Sequence, residues 1–270
     1  MPLIRTPVHG QFCWAELVAH DVQSAIAFYT NALGWTLTDL NNSVSDDMPH
    51  FQFEFAGDPV AGVIQLPENL KKERLPGVWN TYVCVDDLSG SLEDAVAAGA
   101  EVVCPITNAG EHGQVAFIRD PAGGVIGLWQ SGSHGGSSLR GDPGSVCWNE
   151  LATRDAAGVK DFYGNLFHWT FEENPLSVTP YLIIRSAAGE QIGGIMQMTA
   201  EWGDMPSHWS VYFHVDAVDA VTAHVQQLNG RMVVAPFNTP VGRIAVLADN
   251  QGAAFNIIRL DDSLPAESSV

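Results

Sequence analysis

A chain of 270 residues, 46% hydrophobic and only 16% charged, is long enough for two domains of ordinary size and too apolar to be disordered. Its formal net charge of −19 repels phosphate backbones and anionic lipid surfaces, which excludes nucleic acid and membranes as expected partners. No apolar run approaches the roughly 20 residues needed to cross a bilayer, and residues 1–7 carry no apolar signal core, so a cytoplasmic location is expected.

The first strand-like run ends at Ala19. Alternation along it puts Cys13, Ala15, Leu17 and Ala19 on a face that a helix would cover, and Trp14, Glu16 and Val18 on the other. Asp21 then opens a helical stripe of Val22, Ala25, Ile26, Tyr29, Ala32 and Leu33, with Gly34 at the C-cap position. About three strands follow; Asn41-Asn42-Ser43 has the form of a glycosylation triplet but means nothing without a secretion signal. In the strand before Asp86, Thr81, Val83 and Val85 face the next helix, Leu88 to Gly99, while Asn80, Tyr82 and Cys84 share the opposite face. Three more strands follow, and the last places Gly127 and Trp129 on that same opposite face.

Residues 131–145 are rich in Gly and Ser and read as a flexible linker with a solvated His134. Beyond it the pattern begins again. Cys13-Trp14-Ala15-Glu16-Leu17 recurs as Cys147-Trp148-Asn149-Glu150-Leu151, and the match continues without a gap through Asp21/Asp155, Phe28-Tyr29/Phe162-Tyr163, Asn31/Asn165 and Trp35-Thr36/Trp169-Thr170. A helix carries Val159, Phe162, Tyr163, Leu166 and Phe167. A strand follows with Ser210, Tyr212 and His214 on one face, then Asp216 and a helix marked by Val218, Val221, Val225 and Leu228. The last strand turns Ala254, Asn256 and Ile258 to that face. The predicted architecture is therefore α+β: four βαβββ modules in two tandem domains, residues 1–130 and 146–260, with a flexible tail at 261–270. The four cysteines, Cys13, Cys84, Cys104 and Cys147, stand singly with no C-x-x-C pair and read as buried reduced thiols.

The Asp-terminated strands, the Phe-Tyr helices ending in Gly34-Trp35 and His168-Trp169, Val85-Asp86 with Val215-Asp216, and the turn Asp120-Pro121-Ala122-Gly123 resemble the glyoxalase, bleomycin-resistance and extradiol-dioxygenase superfamily, also called the vicinal oxygen chelate (VOC) superfamily. Asp249-Asn250-Gln251-Gly252 is a looser form of the last turn. The resemblance spans nearly the whole chain and is closer still to tandem members carrying Trp-x-Glu-Leu in both halves. It implies a divalent metal held seven residues before the first Asp, six before the second and on the last strand. Those positions are Trp14, Asn80 and Gly127 in the first half and Trp148, Ser210 and Asn256 in the second. Trp and Gly offer no ligand, and amide or hydroxyl oxygens are weak ones for a transition metal, so no metal and no other cofactor is expected. A relocated site using Glu16 or Glu150 with His50, His112, His208 or His214 is the minority alternative.

Three functions remain. The first is a metal-free enzyme that isomerises, enolises or dehydrates a small aromatic or carbonyl metabolite, with a role in secondary metabolism. Glu16 or Glu150 would be the base, and Tyr82, Tyr212 and His214 partners. The second is sequestration of an antibiotic or hydrophobic metabolite by Trp14, Trp79, Asn80, Trp129, Trp148, His208, Trp209, Ser210 and Asn256. The third is metal-dependent chemistry with moved ligands. Against these stand bland readings: each carboxylate fixes the sheet, an equally good account of it, and any single tryptophan is core or domain-interface packing before it is a ligand contact. The expected partner is a small molecule, with a homodimer left open.

Overall fold

The computed structural model describes residues 8–40, 50–66, 77–175, 177 and 179–261. The Asn41-Asn42-Ser43 triplet and all but the first residue of the expected tail lie outside them. The first half runs β1 (Phe12–Ala19), α1 (Val22–Leu33), β2 (Thr36–Asp39), β3 (His50–Phe55), β4 (Asp58–Gln65), β5 (Val78–Cys84), α2 (Leu88–Ala97), β6 (Glu101–Asn108), β7 (Gly113–Arg119) and β8 (Val125–Ser131). The second repeats it as β9 (Val146–Thr153), α3 (Gly158–Phe167), β10 (Thr170–Glu173), β11 (Tyr181–Arg185), β12 (Gln191–Gln197), β13 (His208–His214), α4 (Val218–Gln227), β14 (Arg231–Thr239), β15 (Gly242–Ala248) and β16 (Ala254–Leu260). Each half folds into one mixed 8-stranded sheet, ordered β2-β3-β4-β1-β5-β8-β7-β6 and β10-β11-β12-β9-β13-β16-β15-β14. The first strands of the two modules, β1 and β5, pair antiparallel at the centre, and each pairs parallel with the last strand of its own module.

Helix starts follow the acidic residues, with local differences. Asp21 accepts from the Ser24 amide and Asp155 from the Gly158 amide. Before α2 the cap is Asp87 rather than Asp86, and α4 starts at Ala217 with no side-chain cap.

The two sheets turn their helical faces toward each other. One buried cluster joins Ala15, Leu17, Phe28 and Tyr29 of the first module to Val211, Phe213, Val225 and Phe255 of the fourth. The other joins Val83, Leu88 and Ile126 of the second module to Leu151, Phe162 and Tyr163 of the third, with Trp209 of the fourth reaching in. Each core is thus half from each sheet, with α1 against α4 and α2 against α3. Two crossed locks pin the arrangement. Tyr29 donates to Asp249 (3.2 Å) while accepting from the Trp79 indole (2.9 Å). Tyr163 donates to Asp120 (2.7 Å) while accepting from Trp209 (3.0 Å). The repeated Phe-Tyr pair and the Asp-opened turn are therefore packing devices, and Trp79 and Trp209, considered as ligand-lining residues, belong to the core.

Two further expectations change. A β-bulge between Phe12 and Trp14 makes Phe12 the core residue and drops Cys13 onto the opposite face beside Tyr82, Cys84 and Trp129. Residues 131–145 are not a free coil but are hydrogen-bonded along the first half and, at their end, to the second. Ser137 gives its amide to Cys13 and its hydroxyl to Pro59, Ser138 bonds Asp58, and Gly144 gives its amide to His214. Backbone amides and small side chains satisfied one by one offset what a Gly/Ser segment cannot gain from burial.

Candidate functional site

The helix-free faces carry the repeated Trp-x-Glu. In the first half, Glu16 lies between Gly62 on β4 and Asn80 on β5, and the next row runs Trp14, Tyr82, Gly127. The Tyr82 hydroxyl donates to a Glu16 carboxylate oxygen at 2.7 Å. Burial and the neighbouring Glu16 charge push the Tyr82 pKa well up, so the phenol stays protonated. Two glycines make the arrangement possible. A side chain at Gly62 would strike the Trp14 indole nitrogen (2.9 Å) and the Glu16 carboxylate (3.0 Å), and one at Gly127 would strike the Tyr82 ring (2.6 Å). Trp129 is buried beside Tyr82, Cys84 and Cys13, and its indole N–H donates to the His134 carbonyl.

His134 is not solvated, as composition suggested. Its ring stands edge-on to Trp14 with centroids 4.6 Å apart and lies 5.9 Å from Trp129 and 6.4 Å from His112. Burial, then His112, lowers its pKa to about 4, so it is neutral at pH 7. Burial pushes the Cys147 thiol up to about 12 and raises Cys13 and Cys84 as well, so these sulfurs are thiols rather than nucleophilic thiolates.

The second half keeps the row and closes it. Glu150 lies between Gly194 and Ser210 and is 8% exposed. Its two carboxylate oxygens accept from Tyr181 and Tyr212, both at 2.9 Å, and Trp148 donates to the Tyr181 hydroxyl at 2.8 Å. Burial raises the Glu150 pKa, and the two phenols partly offset it. The Tyr181 hydroxyl fills the space a side chain on Gly194 would take. Tyr181 was not anticipated from sequence; the one available signal was Gly194 beside Glu150, which leaves room for a large neighbour.

Three candidates lie apart from Glu150. The His214 imidazole bonds the Gly141 carbonyl (2.7 Å), His208 bonds the Pro206 carbonyl (2.9 Å), and the Asn256 amide donates to Val211 (3.3 Å). The residues at the three metal positions do not fit a divalent transition ion. The Trp148 indole is committed to Tyr181, the Tyr82 ring occupies the room beside Gly127, and among the described residues no three His, Cys, Asp or Glu side chains converge. His50, His112, His208 and His214 thus form no relocated site with either glutamate.

A profile of the Glyoxalase/Bleomycin resistance protein/Dioxygenase superfamily matches residues 11–128. The chain is 32% identical over 247 residues to "Putative glyoxylase CFP32" of Mycobacterium tuberculosis, covering 91% of this chain and 93% of that protein. It is 29% identical over 271 residues to "Anthracycline biosynthesis protein DnrV" of Streptomyces peucetius, covering 95% and 96%. The crystal structure of the 2,3-dioxygenase LapB from Pseudomonas sp. KL28 superposes with a TM-score of 0.63 at 13% identity, covering 98% of this chain and 97% of that one, which speaks for the fold alone. Two tandem sheets of paired βαβββ modules, the profile match and a full-length relative together place the chain in the glyoxalase/bleomycin resistance protein/dioxygenase superfamily.

Proposed function

We propose that the helix-free face of the first half performs metal-free acid/base chemistry on a small aromatic carbonyl compound, and that the second half's equivalent is a structural relic. The observation that carries this reading is the contrast in exposure between the two glutamates. Glu150 is buried between the phenols of Tyr181 and Tyr212, whereas Glu16, which accepts from Tyr82, is half-buried and lies beside half-buried Trp14 and Asn80. Glu16 takes the proton from the carbon next to a carbonyl. Tyr82, kept protonated, donates to the enolate oxygen, and return of the proton at another atom completes an isomerisation. Trp14 and Trp129 supply flat apolar surface for the ring system. Two relatives named for anthracycline biosynthesis favour polycyclic aromatic ketones and a setting in secondary metabolism.

The test uses 1-tetralone in D2O and follows deuterium entering the carbon next to the carbonyl. Glu16→Gln should remove catalysed exchange and Tyr82→Phe should slow it by about 10- to 1,000-fold, while Glu150→Gln should not slow it. Unchanged exchange in Glu16→Gln refutes the assignment. Absent exchange in the unaltered chain, with tetralone still quenching tryptophan fluorescence, moves the sequestration reading to the front.

A further inference from the structure

The two helix seams of this pseudo-symmetric molecule differ in what fills them. In the α2–α3 seam the imidazole of His9 bridges two backbone groups: Nε2 donates to the Leu166 carbonyl at 3.0 Å, and Nδ1 accepts, at a longer 3.5 Å, from the Asp86 amide. His168 lies alongside, with ring centroids 5.3 Å apart, and Trp169 holds the segment by donating to the Gly10 carbonyl.

The α1–α4 seam repeats the backbone without the imidazoles; there the Phe55 ring packs against Gly144. Trp35 donates to the Gly144 carbonyl as Trp169 does to Gly10, and the two glycines share a positive φ of 88° and 79°. The repeat therefore sets Pro143 where His9 stands, Gly34 where His168 stands, and Ala32 and Asp216 where Leu166 and Asp86 stand. A half-open cleft of about 220 Å³ lies there, lined by Ala32, Leu33, Phe55, Pro143, His214 and Asp216 among others. It is smaller than the roughly 300–1,000 Å³ of drug-sized sites. Among the described residues nothing donates to the Ala32 carbonyl or accepts from the amide of exposed Asp216, so both are open to water or to a ligand. All 9 histidines lie within the described residues, so the chain has no spare imidazole to place there.

We infer that this seam is a binding site for a small planar azole carrying one N–H and one unprotonated ring nitrogen, which would bridge the Ala32 carbonyl and the Asp216 amide as His9 bridges their counterparts. Phe55 and Leu33 flank the ring. His214, with Nδ1 committed as donor to Gly141, turns acceptor character at Nε2 toward any further donor on the ligand. The site lies on the helical side of the sheets, separate from the Glu16 face, and does not depend on the reaction proposed there.

The test is a titration of the full-length protein at pH 8 followed by amide resonances, with imidazole and 1-methylimidazole as probes. Imidazole should shift the Asp216 and Gly144 amides saturably. The methylated ring, which cannot donate to Ala32, should bind about five-fold more weakly, as loss of one hydrogen bond requires. Pro143→His, which supplies the ring in cis, should abolish the saturable shift. Should that chain not fold, the comparison of imidazole with 1-methylimidazole on the unaltered chain carries the test. Absence of a saturable shift at Asp216, equal affinity for the two azoles, or full retention of binding in the histidine variant would each overturn the assignment.

Discussion

Glu150→Gln offers a test of the buried carboxylate through its pH dependence. The substitution keeps the volume but sets an amide N–H₂ against one of two phenols that now donate at 2.9 Å. Leaving one buried partner mismatched costs about 1–3 kcal/mol. The sign with pH follows from the raised Glu150 pKa. The folded state binds this proton more tightly than the unfolded chain, whose carboxyl titrates near 4.5. Glu150 therefore contributes most below that value, and its contribution is lost as pH rises through the raised folded pKa. Asp120 and Asp249 also have raised pKa values, through burial first, but they titrate in both proteins and largely cancel in the difference. Urea unfolding of both proteins at pH 4.5 and pH 8.5 should show the variant's deficit largest, at most about 1–3 kcal/mol, at the lower pH and smaller at the higher. A deficit that is constant or grows with pH would refute the reading of Glu150 as a desolvated carboxylate.

Other outcomes follow from the same contacts. Tyr29→Phe and Tyr163→Phe each orphan a buried indole N–H and an aspartate oxygen, so each should cost about 1–3 kcal/mol in urea unfolding. Because each core draws on both sheets, urea should give one cooperative transition, and residues 1–141 expressed alone should self-associate in sedimentation. Gly62→Ala should displace Glu16 and Trp14, measured as a loss of catalysed exchange that exceeds any loss of stability. His134 prefers to be neutral when folded; between its unfolded value near 6.5 and its folded value near 4, falling pH should loosen its segment, measured as a falling protection factor of the Ser137 amide, its exchange rate taken relative to the intrinsic rate at each pH.

Much of the fold was legible because it rests on local periodicities and a repeat. The alternation around Glu16, the stripes after Asp21 and Asp155, and the Cys-Trp-x-Glu-Leu echo need no tertiary knowledge. The site was only half legible. Trp14, Glu16 and Tyr82 share a face by parity, but the bulge at Cys13 breaks that parity, and a bulge leaves no mark in composition. Tyr181 could not be placed beside Glu150, because it pairs with Met196 on β12 and reaches Glu150 diagonally past Gly194, a register that sequence spacing does not show.

The sequence by itself determined the four modules and, away from the bulge at Cys13, the alternating faces of the strands that carry Trp14, Glu16 and Tyr82, because each is a property of one residue or of a short period. Only the tertiary structure decided which tryptophans are core, which glutamate is locked, and which seam is open. Those outcomes turn on contacts between residues far apart in the chain, where a phenol filling the space over a glycine, or a proline standing where its counterpart is histidine, changes what water, a proton or a ligand can reach.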